Sequence, residues 1–255
     1  MPCDRRIGPA GLARKPVEID GEVVRRPLSS WTPAVHGLLH HLESVDFVGV
    51  PRVVGIDGEC EVVTYVPGEV GHYPLSAERW SDHALVAAAT FLRRLHDATA
   101  SYRPSGAVWR FVYPDASAHE VICHNDFAPY NTTYGGDRPV GLIDFDTAGP
   151  GPRIWDVAYA AYRFVPLVDD DCAREIGMIR SDPARRLALF CETYGLDDPV
   201  AVIVTAARRL EALCDHMEGE ANAGNPVHRS NIAAGHLDVY RRHIGLLRTP
   251  GAFTS

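Results

Sequence analysis

The chain has 255 residues, 46% hydrophobic and 23% charged, enough for a sizeable core in one large domain or two lobes. Acidic residues number 33 against 25 basic ones, and the net charge of −8 argues against a nucleic-acid-binding surface, which needs a basic face. Lys15 is the sole lysine, so any chemistry that needs a catalytic lysine must use it or do without.

In chain order, the first expected element is a hairpin: Val17 and Ile19 lead into Asp20-Gly21, and Val23 and Val24 follow. Thr32-Pro33 has the form of an N-cap with a first-turn proline, and Val35, Leu38, Leu39 and Leu42 continue at helical spacing. Two more strands are expected over Arg52 to Ile56 and Glu61 to Val66, joined by Asp57-Gly58 and ended by Pro67-Gly68. Residues 1–69 therefore read as a small β-rich lobe with one helix, and residues 70–255 as a larger, helical one.

In the larger part, Ala84, Ala87, Ala88, Phe91, Leu92 and Leu95 form one apolar stripe. Val121 to Cys123 reads as a short buried strand, and Thr132 to Tyr134 and Val140 to Ile143 as a hairpin around Gly135-Gly136-Asp137. Asp182-Pro183 opens a helix that stops near Gly195. Asp198-Pro199 opens a longer one, and Asn225-Pro226 a last one running through Ile232, Val239 and Leu247.

The segment with chemical content runs from Val121 through His124-Asn-Asp126 to Asn131, followed by Ile143-Asp144-Phe-Asp146. Asp126 and Asn131 end one loop, and the hairpin brings Asp144 back alongside. A carboxylate and a side-chain amide oxygen converging in this way suit Mg²⁺, which prefers oxygen ligands shared with phosphates. A second carboxylate free of metal could take the proton of a hydroxyl attacking phosphorus.

On these residues the chain resembles the aminoglycoside phosphotransferase family, a branch of the protein-kinase-like fold. His124-Asn-Asp126 with Asn131 is similar to the family's catalytic loop, and Ile143-Asp144-Phe-Asp146 to its metal-binding segment. The run from Gly149 to Asp156-Val-Ala, the Leu95-His-Asp97 helix end and Tyr65-Val-Pro-Gly68 extend the likeness. It implies an α+β fold with two lobes, a small antiparallel β-rich N-lobe and a larger α-helical C-lobe.

By that resemblance Asp126 is the catalytic base, His124 supports its loop, and Asn131 and Asp144 hold Mg²⁺ against the phosphates of ATP or GTP. Asp156 braces the loop, and Asp146 is a supporting carboxylate. Arg25 matches the family's phosphate-binding lysine, while the family's glutamate on the next helix has no counterpart at Val35-His36. Gly8 and Gly11 are the only glycines available for a phosphate-covering hairpin. The Tyr65 carbonyl and Val66 N–H are the expected adenine contacts. Asp169, Asp170 and Glu218 are candidates for drawing a cationic acceptor.

The implied activity is transfer of a γ-phosphoryl group to a hydroxyl of an aminoglycoside-like substrate. A choline-, homoserine- or sugar-like metabolite is the competing acceptor, and a transfer-inactive nucleotide-binding protein the competing class. Nucleotide and a small alcohol are the expected partners, with no nucleic acid or membrane; the oligomeric state stays open. The longest apolar run, Ala84 to Leu92, is too short to span a bilayer, and no apolar stretch follows the basic start. Six scattered cysteines without a Cys-x-x-Cys pair read as reduced thiols of a cytoplasmic protein.

Overall fold

The computed structural model describes residues 17–178 and 182–253. Lys15, Gly8 and Gly11 lie outside them, and with them the expected phosphate-covering hairpin.

The chain opens with β1 (Glu18–Asp20) and β2 (Val23–Pro27), turning at Gly21, whose φ of +62° is the left-handed conformation such a turn needs. Helix α1 (Thr32–Ser44) follows and buries Val35, Leu38, Leu39 and Leu42. Trp31, not Thr32, is its N-cap; the Thr32 hydroxyl instead accepts from the Ser29 N–H at 2.9 Å. Strands β3 (Val53–Asp57) and β4 (Cys60–Thr64) complete an antiparallel sheet of order β1-β2-β4-β3. The β2–β4 register sets Val24 opposite Val63 and Arg26 opposite Glu61, so these four residues share one face.

Strand β5 (Glu69–Val70) leaves this sheet and pairs in the larger lobe. That lobe is built on α2 (Asp82–Thr99), capped by the Ser81 hydroxyl, which accepts from the Ala84 N–H. Two small sheets carry the polar loops. In one, β6 (Val121–Cys123) pairs with β9 (Gly149–Gly151); in the other, β5 pairs with the hairpin β7 (Thr132–Gly135) and β8 (Arg138–Leu142).

The rest is helical: α3 (Arg153–Phe164), α4 (Asp170–Glu175), α5 (Pro183–Tyr194), α6 (Pro199–Asn222), α7 (Pro226–Ala233) and α8 (His236–Leu247). Asp182, Asp198 and Asn225 each cap a helix, with their side chains accepting backbone N–H bonds. The single last helix expected from Asn225-Pro226 is two helices. Gly235 separates them in the left-handed region, at φ +85°.

One continuous core runs from Val35 and Leu38 of α1 to Val239 and Leu247 of α8. Cys60, Cys123, Cys191 and Cys214 are free, whereas Cys172 is disulfide-bonded, which departs from the expectation of six reduced thiols. No helix among the described residues is long and apolar enough to cross a membrane.

Candidate active site

The loop after β6 is held by one fully buried carboxylate. Asp156, in the first turn of α3, accepts from the backbone N–H groups of His124 (2.7 Å) and Asn125 (2.8 Å) and contacts His96 Nε2 at 3.1 Å. His96 Nδ1 meets the Tyr194 hydroxyl at 2.6 Å, so the brace extends through α2 to α5. Burial alone would raise the Asp156 pKa, but the bond and charge of His96, with His124 and its amide, hold it below the ordinary value. His124 ties the loop to the strand ahead of Asp144: its Nε2 lies 3.1 Å from the Ile143 carbonyl, and its Nδ1 accepts from the Asp126 N–H. That pattern places the ring proton on Nε2.

Asp126 is half-buried at the end of this support. One carboxylate oxygen accepts from the Tyr130 hydroxyl at 2.6 Å and the other from Asn131 Nδ2 at 2.9 Å. Burial raises its pKa, against the Tyr130 hydrogen bond and the charge of Arg163. Arg163, itself buried, donates to the Tyr159 hydroxyl, which touches that of Tyr130 at 3.0 Å. With its amide nitrogen spent on Asp126, Asn131 keeps its amide oxygen for another ligand.

Asp144 adopts φ +64° and Asn125 φ +65°, left-handed conformations unusual outside glycine that flank the site on both sides. Asp144 and Asn131 form an all-oxygen donor pair, which fits a hard divalent cation such as Mg²⁺.

The cation facing these acids is Arg26, not Arg25. Its guanidinium lies 3.2 Å from Asp144, 3.2 Å from Asp146 and 2.9 Å from the buried Glu61. Burial works against its charge, yet Asp146, Glu61 and Asp144 outweigh that and raise its pKa. Arg25 points to the opposite face, toward Asp20 and Asp57. The alternation was readable: Val24 packs on the core, so residue 26 shares its side and residue 25 does not. The acid paired with Arg26 is Glu61 of β4, not a residue of α1, and His36 of α1 contacts it at 2.9 Å.

Tyr65 and Val66 follow β4 directly; the Tyr65 N–H is bonded to the Glu22 carbonyl, and Val66 is buried. A cavity of about 260 Å³ opens beside Asp126. Its walls come from Phe111 to Pro114, from Trp155 and Tyr159 of α3, and from Arg209, Ala212, Leu213 and His216 of α6. None of the acids expected to line an acceptor site reaches it. Asp169 caps α4 and pairs with Arg242 and His243; Asp170 is exposed on α4; Glu218 pairs with Arg241. No sequence motif marks Glu61 or the aromatic and basic cavity wall, and Arg26 is the neighbour of the Arg25 expected on that strand.

Residues 105–189 match the model of the "Phosphotransferase enzyme family". The chain is 35% identical over 193 residues to the trifolitoxin immunity protein of Rhizobium leguminosarum bv. trifolii, covering 73% of this chain and 72% of that protein. Its fold is similar to an amicoumacin kinase solved with AMP-PNP, Ca²⁺ and its ligand (TM-score 0.61, 14% identity, 92% of this chain and 88% of that one). It is also similar to the GDP complex of aminoglycoside 2'-phosphotransferase-IIIa (0.60, 14%, 92% and 90%). A choline/ethanolamine kinase family protein from Mesorhizobium loti gives 0.54 at 18% identity, over 91% and 88%. With its small antiparallel sheet, helical large lobe and this relative, the chain belongs to the aminoglycoside phosphotransferase family of the kinase-like fold.

Proposed function

We propose that the chain is an O-phosphotransferase that moves the γ-phosphoryl group of ATP or GTP onto a hydroxyl of a small molecule. Asp126 on the wall of a cavity, bonded to Asn131, with Asp144 beside the Ile143 N–H that bonds the Asn131 carbonyl, carries this reading. Asn131 and Asp144 would hold Mg²⁺, which when bound offsets the negative charge of the phosphates.

In the transfer, the acceptor oxygen forms a bond to the γ-phosphorus as the bond to the β,γ-bridging oxygen breaks. The hydroxyl proton goes to Asp126, and the nucleoside diphosphate leaves. The environment of Asp126 suits it to that task, since burial makes its carboxylate a better proton acceptor than a solvated one. Tyr130 and Asn131 fix its orientation from both sides, and Arg26 would meet the nucleotide phosphates by exchanging its contacts with Asp144 and Asp146 while Glu61 keeps hold of it. Tyr65 and Val66 remain the proposed contacts for the base. His124 and Asp156 act through the loop, not on substrate.

The name of the relative, an immunity protein against trifolitoxin, supports a toxic natural product as acceptor over a metabolite. Transfer is tested with γ-labelled ATP and GTP, Mg²⁺ and a panel of hydroxylated antibiotics and small alcohols. Asp126→Asn should lower the rate by about 10²- to 10⁴-fold while thermal stabilisation by Mg·nucleotide survives. Full activity in that variant would overturn the assignment of the base. Nucleotide binding with no transfer to any acceptor would favour a binding protein.

A further inference from the structure

The cavity beside Asp126 has a chemistry of its own. Phe111, Trp155, Tyr159 and Leu213 give it flat apolar walls. At about 260 Å³ it is near the lower end of small-molecule sites. Its polar side chains are Asn125, Asp126 and Thr147 at the loop end and the basic Arg209 and His216 along α6. Arg209 lies over the rings of Trp155 (5.4 Å) and Tyr159 (4.9 Å) and donates one bond to the Asn125 carbonyl. Its Nε is buried with no hydrogen-bond partner among the described residues. His216, edge-on to Phe111 at 4.9 Å, likewise has a buried Nε2 without a partner among them. Arg110 stands beside this wall, its guanidinium 4.7 Å over the Trp31 ring and 5.6 Å over that of Phe111.

A desolvated donor without an acceptor, as at Arg209 Nε, is costly, and a ligand that supplies an acceptor removes that cost. A polyamine would bring ammonium groups against Arg209 and Arg110 and leave that donor as it is. We propose that this cavity selects a hydroxyl compound with a flat apolar body and an anionic group, the body against Phe111, Trp155 and Leu213 and the anion at Arg209. The hydroxyl's place at Asp126 rests on the phosphotransferase reading; the selection by charge does not.

Four probes separate the terms: 3-phenyllactate, its uncharged amide, the cationic phenylalaninol, and the polycation streptomycin. Binding is measured by calorimetry on the full chain with Mg²⁺ and AMP-PNP, so that no transfer is needed. Phenyllactate should bind best, the amide next, and phenylalaninol and streptomycin at least about tenfold more weakly than phenyllactate. Arg209→Gln should abolish the preference. Because Arg209 also holds the Asn125 carbonyl, Ala212→Asp is the second variant: it sets a carboxylate on the cavity wall one turn from Arg209 and should equalise or reverse the order.

Equal binding, an order favouring the cations, or no binding of any probe at millimolar concentration overturns the inference. With ATP in place of AMP-PNP, phenyllactate that binds but is not phosphorylated would leave the cavity assignment standing and sink the reaction. Phosphorylation of phenylalaninol or streptomycin with phenyllactate refused would do the reverse.

Discussion

Arg26 and Glu61 form a pair in which the acid is buried and the base nearly so. Removing only the base strands a carboxylate away from water, so Arg26→Met should cost about 3 kcal/mol in urea unfolding and abolish stabilisation by Mg·nucleotide. The double variant Arg26→Met/Glu61→Leu should regain part of the stability but none of the nucleotide effect, which separates folding from binding. Asp156 gives a pH dependence. Its folded pKa lies below the unfolded value, so its stabilisation is complete above about pH 4 and is lost as pH falls through the folded pKa. Denaturation curves from pH 7 to 3 should show this loss, and Asp156→Asn should flatten it while lowering neutral-pH stability by about 2 kcal/mol. Among the thiols, burial pushes Cys123 well up and Cys191 and Cys214 to about 11. A thiol reagent at mildly alkaline pH should therefore label the half-buried Cys60 first and Cys123 only on unfolding.

At the scale of elements, the close approach of β9 to the preceding loop shapes the cavity. A Cβ on Gly149 would stand 1.8 Å from the Phe111 carbonyl, and the Tyr113 N–H bonds to Pro150. Gly149→Ala should push the Phe111–Tyr113 wall outward and weaken acceptor binding while nucleotide binding is kept, as titrations of both ligands would show. Helix starts were legible because Asp-Pro and Asn-Pro pairs act locally, through a capping oxygen and a preset φ. The Asp126, Asn131 and Asp144 set was legible because one loop and one hairpin hold it. The cavity was not, because its aromatic and basic side chains come from residues 111–114, α3 and α6, which meet only in the folded chain. Glu61 was hidden for a related reason: its link to Arg26 is a matter of strand register, which two short apolar runs do not specify. The acidic runs misled because caps and surface pairs look the same in sequence as a charged pocket.

At the scale of the molecule, the two lobes are joined by more than a linker. The Leu142 N–H donates to the Gly49 carbonyl at 2.7 Å, the Phe47 ring meets Phe91 edge-on at 5.5 Å, and Arg26 reaches Asp144 and Asp146 across the cleft. Because a single core extends from α1 to α8, calorimetry should show one unfolding transition, with calorimetric and van't Hoff enthalpies in agreement. Two resolved transitions would mean that the lobes melt separately.

An acid carried on a helix can be withdrawn when that helix rotates, and the arginine's anchor goes with it. Here acid and base are rungs of one hydrogen-bonded ladder, and their spacing is set by the distance between adjacent strands. Swinging α1 outward would release His36 from Glu61 and leave Arg26 where it is. The Arg26–Glu61 contact is therefore set by the sheet and not by the position of α1.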